Sequence, residues 1–417
     1  MGANHHHGSV ASSSRATVVA TLAVIIPLAL ATVVALLWLW PDRRQADVPQ
    51  PAGLERMHAT VIAITPKPCP REPAPDGVAA EDRPPADPRT CGTASIELTT
   101  GSQRGQIVST PLPSGPGAQT FAAGDSVVVI YTPEETLDAS PYRISDHDRS
   151  SALWLTGAAF ALAVLAFGRW RGLSALVGLA ITFALLLLFV IPAILDGRPP
   201  LLVAVVGAAA IMLAVLYLTH GFTVSTSIAI VGTLTSLALT GALAYAAIGL
   251  AELNGITDES SFYLDTGHGI NTQGLLLASI LIGTLGVLDD VTVTQAVTVA
   301  ELAHANPAFT ARRLYRAAAR VGRAHIASVI NTIILAYAGA SLPLLLLISI
   351  GDQPLGETVT NPMMAQEIVR AVVGTLGLIA AVPITTALAA LASARRGHDH
   401  DDDEPVRRHA VTDPAVG

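Results

Sequence analysis

Residues 201–219, LLVAVVGAAAIMLAVLYLT, form an unbroken apolar stretch without a charged side chain. A helix rises about 1.5 Å per residue, so a stretch of this length reaches across the roughly 30 Å hydrocarbon core of a bilayer. The stretch therefore predicts a membrane-spanning helix.

The rest of the chain repeats this pattern. Its charged content is 13%, against about 25% in a typical soluble protein, which is too little to cover a globular surface. Seven further apolar runs are long enough to cross a bilayer, at residues 16–40, 151–167, 173–195, 223–250, 272–303, 324–350 and 366–393. The sequence predicts an α-helical polytopic membrane protein of about eight transmembrane helices with a small extracytoplasmic β-rich domain.

Arginines in the connecting segments set the predicted orientation. They cluster at residues 168–172, at 311–323 and just after the last span, whereas the intervening loops are mostly acidic. Because basic loops stay in the cytoplasm, both termini are predicted to be cytoplasmic. Arg43 and Arg44, on the outer side of the first span, run against this rule.

Residues 310–323 also predict an amphipathic helix along the cytoplasmic interface.

The predicted chain has five parts. The first run is longer than the core of a signal peptide, so we interpret it as an uncleaved anchor. The parts are a cytoplasmic tail (1–15), an anchor helix (16–40), an outer β-rich domain with a Pro-rich insert (41–150), a seven-helix membrane domain (151–393) and a disordered acidic tail (394–417). His5, His6 and His7 are assigned no function.

The outer domain is predicted from short segments of alternating apolar and polar residues. They lie at residues 58–65, 95–99, 106–109 and 126–131 and indicate a small β-domain, such as a barrel. Cys69 and Cys91 lie in the same stretch and follow no metal-ligand spacing. Outside the cell a disulfide between them is the natural prediction, with two free thiols as the alternative.

One span carries two adjacent carboxylates. Residues 283–301, GTLGVLDDVTVTQAVTVAE, place Asp289 and Asp290 deep in an apolar run. An acidic side chain at the centre of a membrane helix costs about 3 kcal/mol, so the pair must be protonated, paired or facing water. Such residues indicate function more often than structure.

The same span predicts a polar stripe that runs from mid-membrane to the cytoplasm. At 100° per residue one narrow face carries Asp290, Thr294, Thr298 and Glu301, with Asp289 to the side. We predict that Asp289, Asp290 and Glu301 take up and release a proton or cation. The alternatives are a polar cluster that holds helices together, or a helix that ends at Val293 and leaves the pair near the interface.

Polar residues of two other spans could complete this site. In the span that follows, His325 and Thr332 share a face with Ser328, and Asn331 lies beside them. Asn331 can both donate and accept a hydrogen bond. In an earlier span Thr226, Thr233 and Thr240 recur every seven residues, and each is more often a packing residue than a ligand.

Several long segments resemble the YibE/F-like membrane protein family. They include LTHGF at 218–222, GTLGVLDDVTVTQ at 283–295, VGRAHIASVINT at 321–332 and AYAGASLP at 336–343. The resemblance extends from about residue 95 to 391. It implies a multi-pass protein of the bacterial cell membrane and fixes no reaction.

A remoter resemblance is to the core of the resistance-nodulation-division superfamily, including SecDF. It lies in the order of an acidic helix, a basic cytoplasmic segment and a helix bearing Ser, Asn and Thr. In that superfamily the acidic residues relay protons, which is what the resemblance implies for Asp289 and Asp290.

The preferred functional prediction is a proton- or cation-coupled transporter. The alternatives are a SecDF-like assembly or export factor for envelope proteins, and a non-transporting membrane scaffold. Expected partners are membrane lipid, a proton or cation, and an unknown small-molecule or envelope-protein substrate; a homo-oligomer is left open. A net charge of −8 without a basic patch excludes nucleic acid. The motifs of P-loop ATPases, zinc proteases and serine hydrolases are missing, so no catalysis, cofactor or metal is predicted.

Overall fold

The structure is a computed structural model that describes residues 15–41, 55–69, 87–115, 117–132, 140–350 and 354–401. The predicted N-terminal tail with His5, His6 and His7, most of the Pro-rich insert and the acidic tail beyond residue 401 lie outside the described residues. Contacts divide the chain into two compact units. One comprises Arg43–Phe167 and the other comprises Met1–Asp42 with Gly168–Gly417.

The described part of the chain contains seven helices that are long and apolar enough to cross a membrane, and three short ones. The long ones are α1 (Arg15–Trp38), the helical stretch Ser150–Leu195, α4 (Pro200–His220), α5 (Val224–Leu250), α7 (Thr272–Ala305), α8 (Ala311–Ala340) and α11 (Pro362–Asp401), whose apolar part is Pro362–Ala394. The short ones are α6 (Glu259–His268), α9 (Leu342–Ile350) and α10 (Leu355–Thr360).

The count of seven differs from the predicted eight because Ser150–Leu195 is one helical stretch. It consists of α2 (Ser150–Leu185), a π-helical turn (Leu186–Val190) and α3 (Ile191–Leu195). Arg169, with φ 49° and ψ −125°, breaks the helical geometry inside α2. This kink lies between the two predicted spans, so the sequence located the interruption but predicted a loop instead of a kink.

The arginine-rich segment that the sequence predicts as a separate helix is the first part of α8. The sequence predicts an amphipathic helix at 310–323 that is separate from a span at 324–350. In the structure α8 runs from Ala311 to Ala340 without interruption. Gly322 does not break α8, because it is buried where α8 packs on its neighbours. The prediction of a helix separate from the following span is therefore wrong, whereas its position along the cytoplasmic interface stays a prediction.

Three helices, α5, α7 and α11, form the centre of the larger unit, with α4 and α8 packed beside them. α5 runs antiparallel to α7, since Thr233 meets Thr292 and Gly241 faces Leu281. α11 is parallel to α7. The largest apolar cluster is built mainly from these helices and α4, and it includes Met212, Leu216, Ile230, Leu237, Leu281, Leu285, Leu288 and Leu378.

Glycines allow α5 and α11 to approach closely at two levels. A Cβ atom at Gly377 of α11 would overlap the hydroxyl of Thr240 and lie 3.1 Å from its Cβ. A Cβ atom at Gly232 of α5 would meet Thr385 in the same way. Each threonine is fully buried. Small residues at helix crossings let membrane helices gain packing and hydrogen bonding.

The smaller unit contains a five-stranded antiparallel sheet of order β3-β2-β1-β4-β5. The strands are β1 (Glu55–Pro66), β2 (Gly92–Leu98), β3 (Ile107–Pro111), β4 (Ser126–Tyr131) and β5 (Tyr142–His147). The first four correspond to the predicted segments, and β5 was not predicted as a strand. One face of the sheet buries Met57, Val61, Ile96, Leu98, Val127, Val129 and Ile144.

The two edge strands of this sheet are bonded to each other through side chains. The hydroxyl of Thr110 on β3 donates to the carbonyl oxygen of Tyr142 on β5 at 2.5 Å. Ser140, just before β5, donates to the carbonyl oxygen of Ser109 at 3.0 Å. The sheet therefore curls towards closure, as the predicted barrel requires, without a backbone ladder between β3 and β5.

Cys69 and Cys91 form a disulfide in the structure, with their Cα atoms 5.1 Å apart. Cys69 lies shortly after β1 and Cys91 lies directly before β2. The bond therefore ties the two ends of the Pro-rich insert together. This is the first of the two alternatives that the sequence leaves open.

Candidate functional site in the membrane helices

The aspartate pair lies near the middle of α7. Asp289 is 17 residues after Thr272, the first residue of a 34-residue helix. Asp289 is half-buried, whereas Asp290 is exposed on the outside of the helix bundle. Asp289 therefore turns towards the bundle and Asp290 turns away from it.

The predicted polar stripe does share one side of α7, but this side faces outwards. Asp290 and Glu301 are exposed, and Thr294 and Thr298 are half-buried. The hydroxyl of Thr298 donates to the carbonyl oxygen of Thr294 at 2.7 Å, as is common for threonine within a helix. The sequence prediction treated Asp289 as the member at the side of the stripe, whereas the structure makes it the aspartate nearest the bundle interior.

A different set of polar residues of α7 lies inside the bundle, and the sequence prediction missed it. Thr292 and Gln295 are both fully buried. The Thr292 hydroxyl lies 3.1 Å from the carbonyl oxygen of Asp289 and 2.6 Å from the hydroxyl of Thr233 on α5. This gives a continuous polar connection from the backbone of Asp289 to α5.

One turn further along α7, Gln295 continues the polar interior towards α11. Its Oε1 accepts a hydrogen bond from the Thr386 hydroxyl at 2.9 Å. Its Nε2 and the Thr385 hydroxyl are buried without a hydrogen-bond partner among the described residues. We call Asp289, Thr292, Gln295, Thr233 and Thr386 the interior polar chain.

Gly322 of α8 makes room for Gln295. A Cβ atom at Gly322 would lie 2.9 Å from both Gln295 Nε2 and Oε1, and 2.6 Å from a methyl group of Val382. His325, one turn further along α8, is half-buried, and its Nε2 is buried without a partner in the described part of the chain. The fold thus brings His325 to the same side of α8 as the contact with Gln295.

The other predicted supporting residues of α8 are not brought into this interior. Asn331 and Thr332 are both exposed. The Thr332 hydroxyl donates to the carbonyl oxygen of Ser328 at 3.2 Å, within its own helix. By contrast, Thr226, Thr233 and Thr240 of α5 are all buried. Their seven-residue spacing was the one sequence signal that could have located the polar interior.

The interior polar chain joins the backbone carbonyl of Asp289 to hydroxyl and amide groups, whereas the carboxylate of Asp289 accepts a hydrogen bond from the backbone N–H of Asp290 at 2.8 Å. Hydroxyl and amide groups both donate and accept hydrogen bonds, so they can pass a proton through water or replace part of the hydration shell of a cation. No group of three or more His, Cys, Asp or Glu that could hold a metal ion occurs within the described residues.

The acidic segment between α5 and α7 forms an open depression of about 510 Å³. Glu252, Asn254, Asp265 and Asn271 are among its lining residues. Asp258 has a structural role here, since Ser261 donates to it and lowers the pKa of its carboxyl group. The depression holds no buried polar group that points to a ligand.

Helices of this length and composition define a membrane protein with several candidate membrane-spanning segments. A family model described as YibE/F-like protein matches residues 156–395, more than half of the chain, and the chain belongs to this family. Neither the curated proteins nor the solved structures give a match. The family match covers the helices from α2 onwards and neither α1 nor the sheet, so the resemblance of the β-rich part remains a prediction, as does the resemblance to SecDF.

Proposed function

We propose that this YibE/F-like protein moves protons or small cations across a bacterial cell membrane and couples that movement to transport, with Asp289 as the coupling carboxylate. The observation that carries the proposal is the position of Asp289, half-buried near the middle of α7 at one end of the interior polar chain. An ionisable group at this depth is costly and typically marks an ion pathway.

The interior polar chain supports a route within one bundle. Thr292 contacts the backbone carbonyl of Asp289 and the hydroxyl of Thr233, and Gln295 contacts Thr386, so polar groups follow Asp289 over the next two turns of α7. The unpartnered Nε2 of Gln295 and hydroxyl of Thr385 offer additional sites for a water molecule or an ion. Asp290 would then contribute less than Asp289 to ion movement, because it faces away from these groups.

The orientation in this proposal follows from the arginines. The first turns of α8 and the end of α11 carry arginines, and both would lie in the cytoplasm. The interior polar chain would then connect the centre of the membrane to the cytoplasmic side. In this orientation the stretch Ser150–Leu195 would cross the membrane twice, once before and once after the kink at Arg169, and the β-rich unit with its disulfide would lie outside the cytoplasm, where disulfides persist.

The test is proton flux into liposomes that hold a pH-sensitive dye, with a pH gradient and a membrane potential imposed. Purified wild-type protein is compared with Asp289→Asn and with Asp290→Asn as the matched control, at equal incorporation. We expect Asp289→Asn to reduce the flux at least tenfold and Asp290→Asn to keep most of it.

Three results would contradict the proposal. Equal flux through wild type and Asp289→Asn would mean that this carboxylate is not on the route, and a wild type no better than empty liposomes would leave a scaffold role. Loss of flux in Asp290→Asn alone would assign the route to the outward-facing stripe of Asp290, Thr294, Thr298 and Glu301.

A further inference from the structure

The first turns of α11 carry a charged group that the interior polar chain does not use. Arg370 Nη1 donates to Glu367 Oε1 at 2.8 Å, and both side chains are about a quarter exposed. Arg370 Nη2 lies 3.5 Å from the hydroxyl of Ser279 on α7. Ten residues separate Ser279 from Asp289, so this pair lies about 15 Å along α7 from the coupling carboxylate.

Two buried donors at this place have no acceptor among the residues that the structure describes. Gln366 is only 6% exposed, and its Nε2 is without a hydrogen-bond partner among the described residues. The Nε of Arg370 is buried and lacks a partner as well. Gln366 and Arg370 are four residues apart, so they lie on the same face of α11.

Leaving two donors unpaired is unfavourable inside a helix bundle. A buried donor without a partner costs about 1–3 kcal/mol, and more when it is charged. Arginine has five N–H donors, and the ion pair with Glu367 and the long contact with Ser279 leave the Nε edge unused. A ligand that supplies acceptor oxygens would satisfy Gln366 and Arg370 together.

The neighbouring groups favour an oxyanion with a single charge. Tyr337 of α8 brings a phenol close to α7, since a Cβ atom at Gly283 would lie 3.5 Å from its hydroxyl. Gly283 is one turn beyond Ser279 on the same face of α7. Glu367 already neutralises Arg370, so binding would rest on hydrogen-bond donors and would disfavour a multiply charged ion.

We propose that Gln366 and Arg370 form a binding site for a singly charged oxyanion, a carboxylate or a phosphodiester. Donation from a guanidinium edge to such a group is short and charge-assisted, which makes it stronger than a bond between neutral groups. This site goes beyond the proposed ion route, because binding requires neither a gradient nor Asp289.

The experiment measures the unfolding temperature of the purified full chain in detergent. Sodium acetate is titrated against sodium chloride at equal ionic strength to test a soluble carboxylate. Phosphatidylglycerol is compared with phosphatidylcholine in mixed micelles to test a lipid phosphodiester. The variants are Gln366→Leu and Arg370→Lys, with Arg320→Lys, an exposed arginine of α8, as the matched control.

We expect acetate or phosphatidylglycerol to raise the unfolding temperature of wild type and of Arg320→Lys by several degrees. Gln366→Leu and Arg370→Lys should need at least tenfold more ligand for the same shift. Gln366→Leu should fold as well as wild type without ligand, because leucine has a similar volume and removes an unpaired donor.

A response to acetate would identify a soluble anion, and a response to phosphatidylglycerol alone would identify a lipid headgroup. The proposal is overturned if wild type responds to neither, or if all four proteins respond equally. Since the proton-flux assay uses Asp289→Asn, the failure of one proposal leaves the other intact.

Discussion

The glycine contacts between α5 and α11 give a prediction that is independent of any function. Replacing Gly377 by alanine places a Cβ atom on the hydroxyl of Thr240 and 3.1 Å from its Cβ, where ordinary contacts begin at 3.4 Å. The Thr240 side chain cannot turn away freely, since its hydroxyl donates to the carbonyl oxygen of Ser236 at 2.8 Å. The two helices must therefore move apart.

The expected size follows from two opposing terms. Overpacking of this kind costs about 1–3 kcal/mol, while alanine in place of glycine favours a helix by about 0.8–1 kcal/mol. Gly377→Ala should therefore destabilise the protein by up to about 2 kcal/mol. Gly286→Ala on α7 is the matched control, because nothing lies within 4 Å of its added Cβ, and it should be neutral or stabilising.

The assay is unfolding of the purified full chain in detergent by heat or denaturant, followed by circular dichroism. Adding Thr240→Ala to Gly377→Ala should recover part of the loss, since the overlapping hydroxyl is removed. If Gly377→Ala proves as stable as Gly286→Ala, the close approach of α5 and α11 is wrong.

Three further predictions concern other parts of the molecule. Gln295→Leu should lower proton flux at least threefold while shifting the unfolding temperature little; equal flux would remove Gln295 from the route. Arg149 donates to Asp146 and lowers its pKa from 3.8 to about 2, so this carboxylate stabilises the fold above pH 4 and the contribution is lost between pH 4 and pH 2. Unfolding followed by tyrosine fluorescence should show a loss of stability between pH 4 and pH 2 in wild type and a smaller loss in Asp146→Asn. Reducing the bond between Cys69 and Cys91, 22 residues apart, should destabilise the β-rich unit by about 3 kcal/mol; limited proteolysis with and without dithiothreitol would detect it, and identical cleavage would argue against the bond.

Much of the helical architecture was predictable because membrane spans are set by composition and length. The apolar runs located every long helix, and alternation located four of the five strands. The strand β5, YRISDH, carries charged residues at its middle and end, so its pattern is weak. The unbroken helix α8 was missed because a change from arginine-rich to apolar composition suggests a boundary, although backbone hydrogen bonding does not require one.

The direction in which Asp289 faces could not be predicted from α7 alone. Angular spacing fixes which residues share a face, but α7 carries polar residues on two faces, so the sequence does not indicate which of them meets α5 and α11. That choice depends on glycines of other helices, such as Gly322, which admits Gln295. The sequence analysis did not single out Glu367 and Arg370, and the buried donors beside them become evident only when α7 and α11 are packed together.

The bonds that join β3 to β5 restrict how the β-rich unit can recognise another polypeptide. Many β-domains capture a peptide by letting it extend an open sheet edge. Here the carbonyl oxygens of Ser109 and Tyr142, one on each edge strand, already accept hydrogen bonds from Ser140 and Thr110. An incoming strand would have to displace them, so recognition through loops or side-chain surfaces is favoured, and the same arrangement protects the unit against edge-to-edge aggregation.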